Sequence, residues 1–177
     1  MMSVGLRHLV FFSATLLFIV ACSQSETNTE IQVDESAKSL NEAAIVTFIE
    51  GRMDVAFGQI WSDQQNAEQF VTDFWTPDAV AIASDGPTAW SGYGELVPLI
   101  REFMAAYPRI TAEPVYTKVV DEDVAYQFAQ FIFYPADPED KPVPAKSLYV
   151  WLKIDGQWKI AADHFSYTLM DTPTIAK

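Results

Sequence analysis

Two side chains in this sequence are suited to moving a proton. The chain has two histidines, His8 and His164. His8 falls in the apolar leader, so His164 is the one imidazole left to a folded domain. Its unperturbed pKa of about 6.5 suits a general acid, a general base or a hydrogen-bonding partner for a ligand. A structural histidine bridging sheet and helix is the competing reading. Asp78 follows Pro77 and precedes the apolar run Ala79-Val80-Ala81-Ile82. Among aromatic neighbours its carboxyl would titrate high and act as a base; as a turn residue it would instead bond its own backbone.

Around these two, Phe74, Trp75, Trp90, Tyr93, Tyr126, Phe128 and Gln130 are candidates to line a pocket. Tyrosine hydroxyls and one amide are the sparse polar contacts that a small-molecule site uses, although large aromatics also build cores. Other chemistries lack their residues. One histidine and no free cysteine argue against a zinc site, so no metal and no cofactor are expected. Ala89 stands where a nucleophile elbow needs glycine, and there is no phosphate-binding glycine loop with lysine. Asp137, Glu139 and Asp140 lie in a proline-broken loop without calcium-loop spacing.

The stretch that must position His164 is the terminal hairpin, KSLYVWLKIDGQWKIAADHFSY, residues 146–167. Two alternating runs flank Asp155-Gly156, a strong hairpin signal. A two-residue loop would mix apolar and polar groups on both faces. A three-residue loop, Ile154-Asp155-Gly156, with Gly156 left-handed in a bulge, sorts them better. On that register Leu148, Val150, Leu152, Trp158, Ile160, Ala162 and His164 face the core. Tyr149, Trp151 and Asp163 then face outward, because a one-residue slip exchanges the faces.

Residues 1–21 carry Arg7 and His8, then LVFFSATLLFIVA, too short a run for a comfortable membrane span and reading as a secretory signal. Ile19-Val20-Ala21-Cys22 resembles the lipobox of bacterial lipoproteins, which implies lipidation of Cys22, the single cysteine. Ser23 after it resembles the outer-membrane sorting pattern, so the expected location is the envelope, anchored to the outer membrane and facing the periplasm. Residues 22–37 are the lipidated cysteine and an acidic tether too poor in apolar groups to order itself. Residues 38–170 form one domain, and 171–177 a tail. The net charge of −13 argues against nucleic acid, which needs basic patches. The membrane is met only through the anchor.

Within the domain, Ser39-Leu40-Asn41-Glu42 has capping-box spacing and begins a helix reaching about residue 60. Asn66 caps a second helix that stops at Pro77. A strand spans residues 79–84, with a short one at 88–91, and a third helix runs from Gly92-Tyr93-Gly94 to Pro108. Long strands at 110–120 and 124–135 precede the hairpin. Helices followed by antiparallel strands indicate an α+β domain.

This order resembles the nuclear transport factor 2-like superfamily, in particular its SnoaL-like branch. The carriers are Phe74-Trp75-Thr76-Pro77-Asp78-Ala79-Val80, then Trp90-Ser91-Gly92-Tyr93-Gly94-Glu95-Leu96, then Asp155-Gly156-Gln157-Trp158-Lys159-Ile160 followed by His164-Phe165-Ser166. The resemblance implies a curved antiparallel sheet forming a cone, with about three helices on its concave side and often an apolar pocket in its open end. Some members are isomerases, dehydratases or cyclases; many only bind or dimerise. It also implies, for Asp78, a likeness to the catalytic carboxylate of ketosteroid isomerase, and for Tyr149 and Trp151 a covered outer face at which two copies meet as a homodimer. The expected function is a lipid-anchored domain binding a small, mainly apolar ligand or a protein partner. The alternative is a cofactor-independent isomerase or lyase using His164 or Asp78.

Overall fold

The computed structural model describes residues 35–84 and 88–167. The expected signal, the expected lipidation site at Cys22, nearly all of the expected tether and the tail lie outside the described residues. Helix α1, Glu35–Val55, begins just before the expected domain start. It presents Ile45, Ile49 and Met53 to the core at the four-residue spacing that keeps side chains on one face. A wider π turn, Ala56–Ile60, ends it and swings Phe57 and Trp61 inward. Trp61 Nε1 then donates to the Tyr107 carbonyl at 2.8 Å, tying this end to the close of α3.

Helix α2, Ala67–Phe74, buries Ala67, Phe70, Val71 and Phe74. Its entry is capped one turn earlier than expected: the Asp63 side chain accepts from the Gln65 amide at 2.9 Å, and Asn66 makes no side-chain cap bond. Strand β1, Trp75–Ala83, follows without a loop. It starts four residues before the expected strand, and Pro77 lies inside it. Proline is tolerated there because the ladder to β6 is interrupted between Trp75 and Val80, where a missing donor costs nothing.

Strand β2, Ala89–Ser91, leads into α3, Gly92–Ala106. Glu95 reaches back to accept from the Ser91 amide at 2.7 Å. Gly92 adopts φ +69°, and a Cβ there would lie 3.1 Å from the Pro77 carbonyl, so glycine is required at this crossing. Strands β3 (Arg109–Asp121), β4 (Val124–Tyr134), β5 (Val143–Ile154) and β6 (Gln157–Ser166) complete the chain. The six strands lie in the order β2-β1-β6-β5-β4-β3. All pairs are antiparallel except β1 with β6. The sheet is curved and unclosed, with the three helices on its concave side, as expected.

The hairpin corrects the expected register. Ile154 pairs with Gln157, so Asp155-Gly156 is a two-residue loop, with φ +51° and +77°. Positive φ at both positions is the type I′ turn whose twist matches the strands. The bulge sits elsewhere: Trp151 pairs with Ile160 but Val150 pairs with Ala162, leaving Ala161 as the extra residue. Before it, Trp158 and Ile160 face inward; after it, Asp163 does. His164 therefore points out, and its side chain is exposed.

The same correction inverts β5. Tyr149 and Trp151, expected on an outer dimer face, are 4% and 0% exposed in the core. Across from them β4 turns Ala125, Gln127, Ala129 and Phe131 inward. Small residues oppose large ones, Ala125 against Trp151 and Phe131 against Ala145, which lets the two strands fill one layer.

Candidate functional site

The concave face encloses a cavity of about 60 Å³. Its floor comes from β4, β5 and β6, and its walls from the π turn, α2 and α3. Aromatic rings dominate. Phe57 packs edge-on to Phe131 at 5.2 Å and to Phe70 at 5.5 Å, and Phe103 meets both Phe133 and Phe165 at 6.0 Å. Such tilted and edge-to-face contacts are favourable beyond the area they bury. The side-chain groups able to hydrogen-bond among the lining residues belong to Ser147, Tyr149, Asp163 and the indoles of Trp61 and Trp75.

Asp163, expected on the outer face, is turned inward by the bulge. Its carboxyl is buried and Oδ1 has no hydrogen-bond partner. Burial pushes its pKa from an ordinary 3.8 up to about 7, opposed by a hydrogen bond from the Ser147 hydroxyl. Desolvation disfavours the charged form, so near neutrality the group is divided between acid and base. Tyr149 faces it directly across the β5–β6 ladder. Burial, reinforced by the charge of Asp163, raises the phenol well above 10, and Tyr149 stays a neutral donor. The site thus pairs a carboxyl that titrates in the working range with a phenol that does not.

The expected site residues scatter. Trp75 alone of the seven pocket candidates lines the cavity. Phe74 is buried beside it in the core. Trp90 is half-buried and stacks on Phe165 at 6.3 Å. The Tyr93 hydroxyl donates to the Trp75 carbonyl at 2.9 Å, so it holds the strand in place and leaves the cavity to others. Tyr126, Phe128 and Gln130 occupy the outward positions of β4, half-buried, because Gln127, Ala129 and Phe131 take the inward ones. Asp78 is exposed within β1 and accepts from the Thr76 hydroxyl at 2.9 Å, a side-chain bond in place of the backbone turn bond weighed above. His164 and Asp78 are both outside the cavity.

The junction carrying Trp75 is held by three donors. Lys159 Nζ donates to the Thr72 carbonyl at 2.8 Å, Arg52 donates to the Asp73 carbonyl, and Tyr93 takes that of Trp75. Cations at a helix C-terminus oppose its partial negative charge and satisfy its free carbonyls. The indole of Trp75 is thereby fixed against the cavity. Among the described residues no group of three or more His, Cys, Asp or Glu is placed to hold a metal. No described helix is long and apolar enough to cross a membrane.

A search of curated proteins found no match. Solved structures share the fold at low identity. A protein assigned as a scytalone dehydratase from Novosphingobium aromaticivorans aligns with a TM-score of 0.60 and 14% identity over 77% of this chain and 93% of its own. A domain of unknown function with a cystatin-like fold from Nostoc punctiforme aligns at 0.55 and 18%, over 68% and 78%. A ketosteroid isomerase-like protein from Erwinia carotovora atroseptica aligns at 0.51 and 18%, over 60% and 85%. The sequence profile of the SnoaL-like domain matches residues 55–170, which takes in every strand of the sheet and every residue of the cavity, and the chain belongs to that family.

Proposed function

We propose that this domain is a cofactor-independent isomerase or lyase for small, mainly apolar molecules, with Asp163 as the group that moves the proton. One observation supports it above the others: a carboxyl titrating at about 7 lies in an aromatic cavity with one oxygen unpartnered. A buried acceptor without a partner is costly, and an acid or base is most effective when its pKa lies near the working pH. Tyr149 supplies a hydrogen bond to charge developing on a bound molecule. The isomerase and dehydratase names borne by two structures of this fold agree with proton transfer in the cavity of the curved sheet. The catalytic roles expected of His164 and Asp78 pass to Asp163.

The test is proton exchange in D₂O against a panel of small ketones and allylic alcohols, followed by NMR for deuterium uptake or loss of water. Wild type turns over at least one compound, with a rate change centred near pH 7. Asp163→Asn loses on the order of 100-fold, while His164→Ala keeps the rate. Equal rates in wild type and Asp163→Asn would end this reading.

A second reading concerns the outer face of the sheet. Tyr126 pairs with Val150 and Phe128 with Leu148, and these half-buried apolar groups form one patch. We place the homodimer contact there instead of at Tyr149 and Trp151. Sedimentation of Val150→Asp should give a monomer where wild type gives a dimer; a dimer in both refutes it. Anchoring at Cys22 in the outer membrane is proposed from the lipobox alone. Palmitate labelling that persists in Cys22→Ala would count against it.

A further inference from the structure

Two residues that line the cavity each carry a buried polar atom with nothing to bond to, and the two atoms are of opposite kind. Trp75 Nε1 is a donor and Asp163 Oδ1 an acceptor; neither has a partner, and both side chains line the same space. Each such group costs about 1–3 kcal/mol when left unmade, so two on one cavity call for a reason. Neighbouring donors are satisfied: Trp61 Nε1 and the Tyr93 hydroxyl both reach backbone carbonyls. Arg52 Nε, Gln127 Oε1 and Trp151 Nε1 also lack partners, but of the five side chains Trp75 and Asp163 are the two that line the cavity.

Topology brings the two together. Trp75 pairs with Ile160 and Asp163 with Ala81 across the parallel β1–β6 ladder. The ladder is interrupted between Trp75 and Val80, so the two side chains come from adjacent strands on either side of that break.

We propose that Trp75 donates its indole N–H to an oxygen of the ligand while Asp163 faces the same polar end, so that the site takes an uncharged molecule with an apolar body and a single carbonyl or hydroxyl oxygen. This rests on the reading of the cavity as a small-molecule site. Carboxylates and phosphates are disfavoured, because no lysine or arginine lines the cavity to offset the Asp163 charge. An ammonium satisfies Asp163 but sets a cation against the indole donor. A hydrocarbon leaves both atoms unmade. A hydroxyl accepts from Trp75 and donates to the Asp163 carboxylate; a carbonyl accepts from Trp75 and from the protonated carboxyl.

The experiment uses the full chain with ¹⁵N-labelled indoles and three probes of similar size: cyclopentanone, methylcyclopentane and cyclopentylammonium. Cyclopentanone should shift the Trp75 indole resonance and bind about tenfold more tightly than methylcyclopentane, about 1.4 kcal/mol. In Trp75→Phe that preference should shrink to about twofold; if this variant does not fold, the resonance in the unmodified chain decides alone. Equal binding of ketone and hydrocarbon with the Trp75 signal unmoved overturns the proposal and leaves the small-molecule site standing. Tightest binding by the ammonium overturns it as well. If none of the three binds, the small-molecule reading falls with it.

Discussion

Asp163→Asn should remove a specific piece of the pH dependence of stability. In the folded chain the carboxyl titrates at about 7, against an ordinary 3.8, so between about pH 4 and pH 7 the folded state holds a proton that the unfolded state has released. A raised folded pKa gives stability that is complete below the lower value and lost as pH rises through the higher one. The span of roughly 3 pH units, at about 1.4 kcal/mol each, amounts to about 4 kcal/mol for a fully buried group. Tyr149, the titratable group across the ladder, is raised well above 10 and does not enter this window.

Asparagine is isosteric with the protonated acid and cannot ionise. At pH 4.5 the two proteins should therefore be of similar stability. At pH 8 the variant should be the more stable by up to about 4 kcal/mol, on the order of 12 °C in Tm for a domain of this size. Urea titrations at half-unit pH steps measure the difference directly. The remaining carboxylates titrate in both proteins and cancel from it. Parallel curves for the two, or a variant that is the weaker at pH 8, would refute the reasoning.

Gly92→Ala places a Cβ 3.1 Å from the Pro77 carbonyl on a backbone at φ +69°, and should cost about 2 kcal/mol, read as a lower urea midpoint with an unchanged slope. Lys159→Met keeps the apolar stem but frees the Thr72 carbonyl; a loss of about 1 kcal/mol is expected. Asp78→Asn retains an acceptor for Thr76 at an exposed position of β1, so both stability, within about 0.5 kcal/mol, and deuterium exchange should be unaffected.

Much of the architecture was legible because its signals are local. The Pro108 stop, the place of the Asp155-Gly156 turn and the spacing of Leu96, Leu99, Ile100 and Phe103 each report on a few neighbouring residues, whereas the expected caps at Ser39 and Asn66 failed, since α1 already runs from Glu35 and Asn66 makes no side-chain cap bond. Which face of a strand is buried was not legible, for a physical reason visible in β4. Tyr126, Phe128 and Ile132 point outward while Phe131 and Phe133 point inward, so both faces are apolar and alternation carries no sign. In β6 the deciding residue is Ala161, an alanine among alanines with no glycine to mark a bulge. Placing the irregularity at Gly156 satisfied the pattern and reversed the hairpin. Trp75 lines the cavity, but its strand begins before Pro77, where propensity alone forbids one.

The surplus residue in β6 decides which of two proton carriers meets the interior. Asp163 and His164 are sequential, and the acid faces inward because Ala161 is left out of the ladder. Deleting that alanine would only flatten the strand and keep the acid where it is. Drawing it into the ladder would invert every later position, and the imidazole would take the carboxyl's place without any change to either side chain.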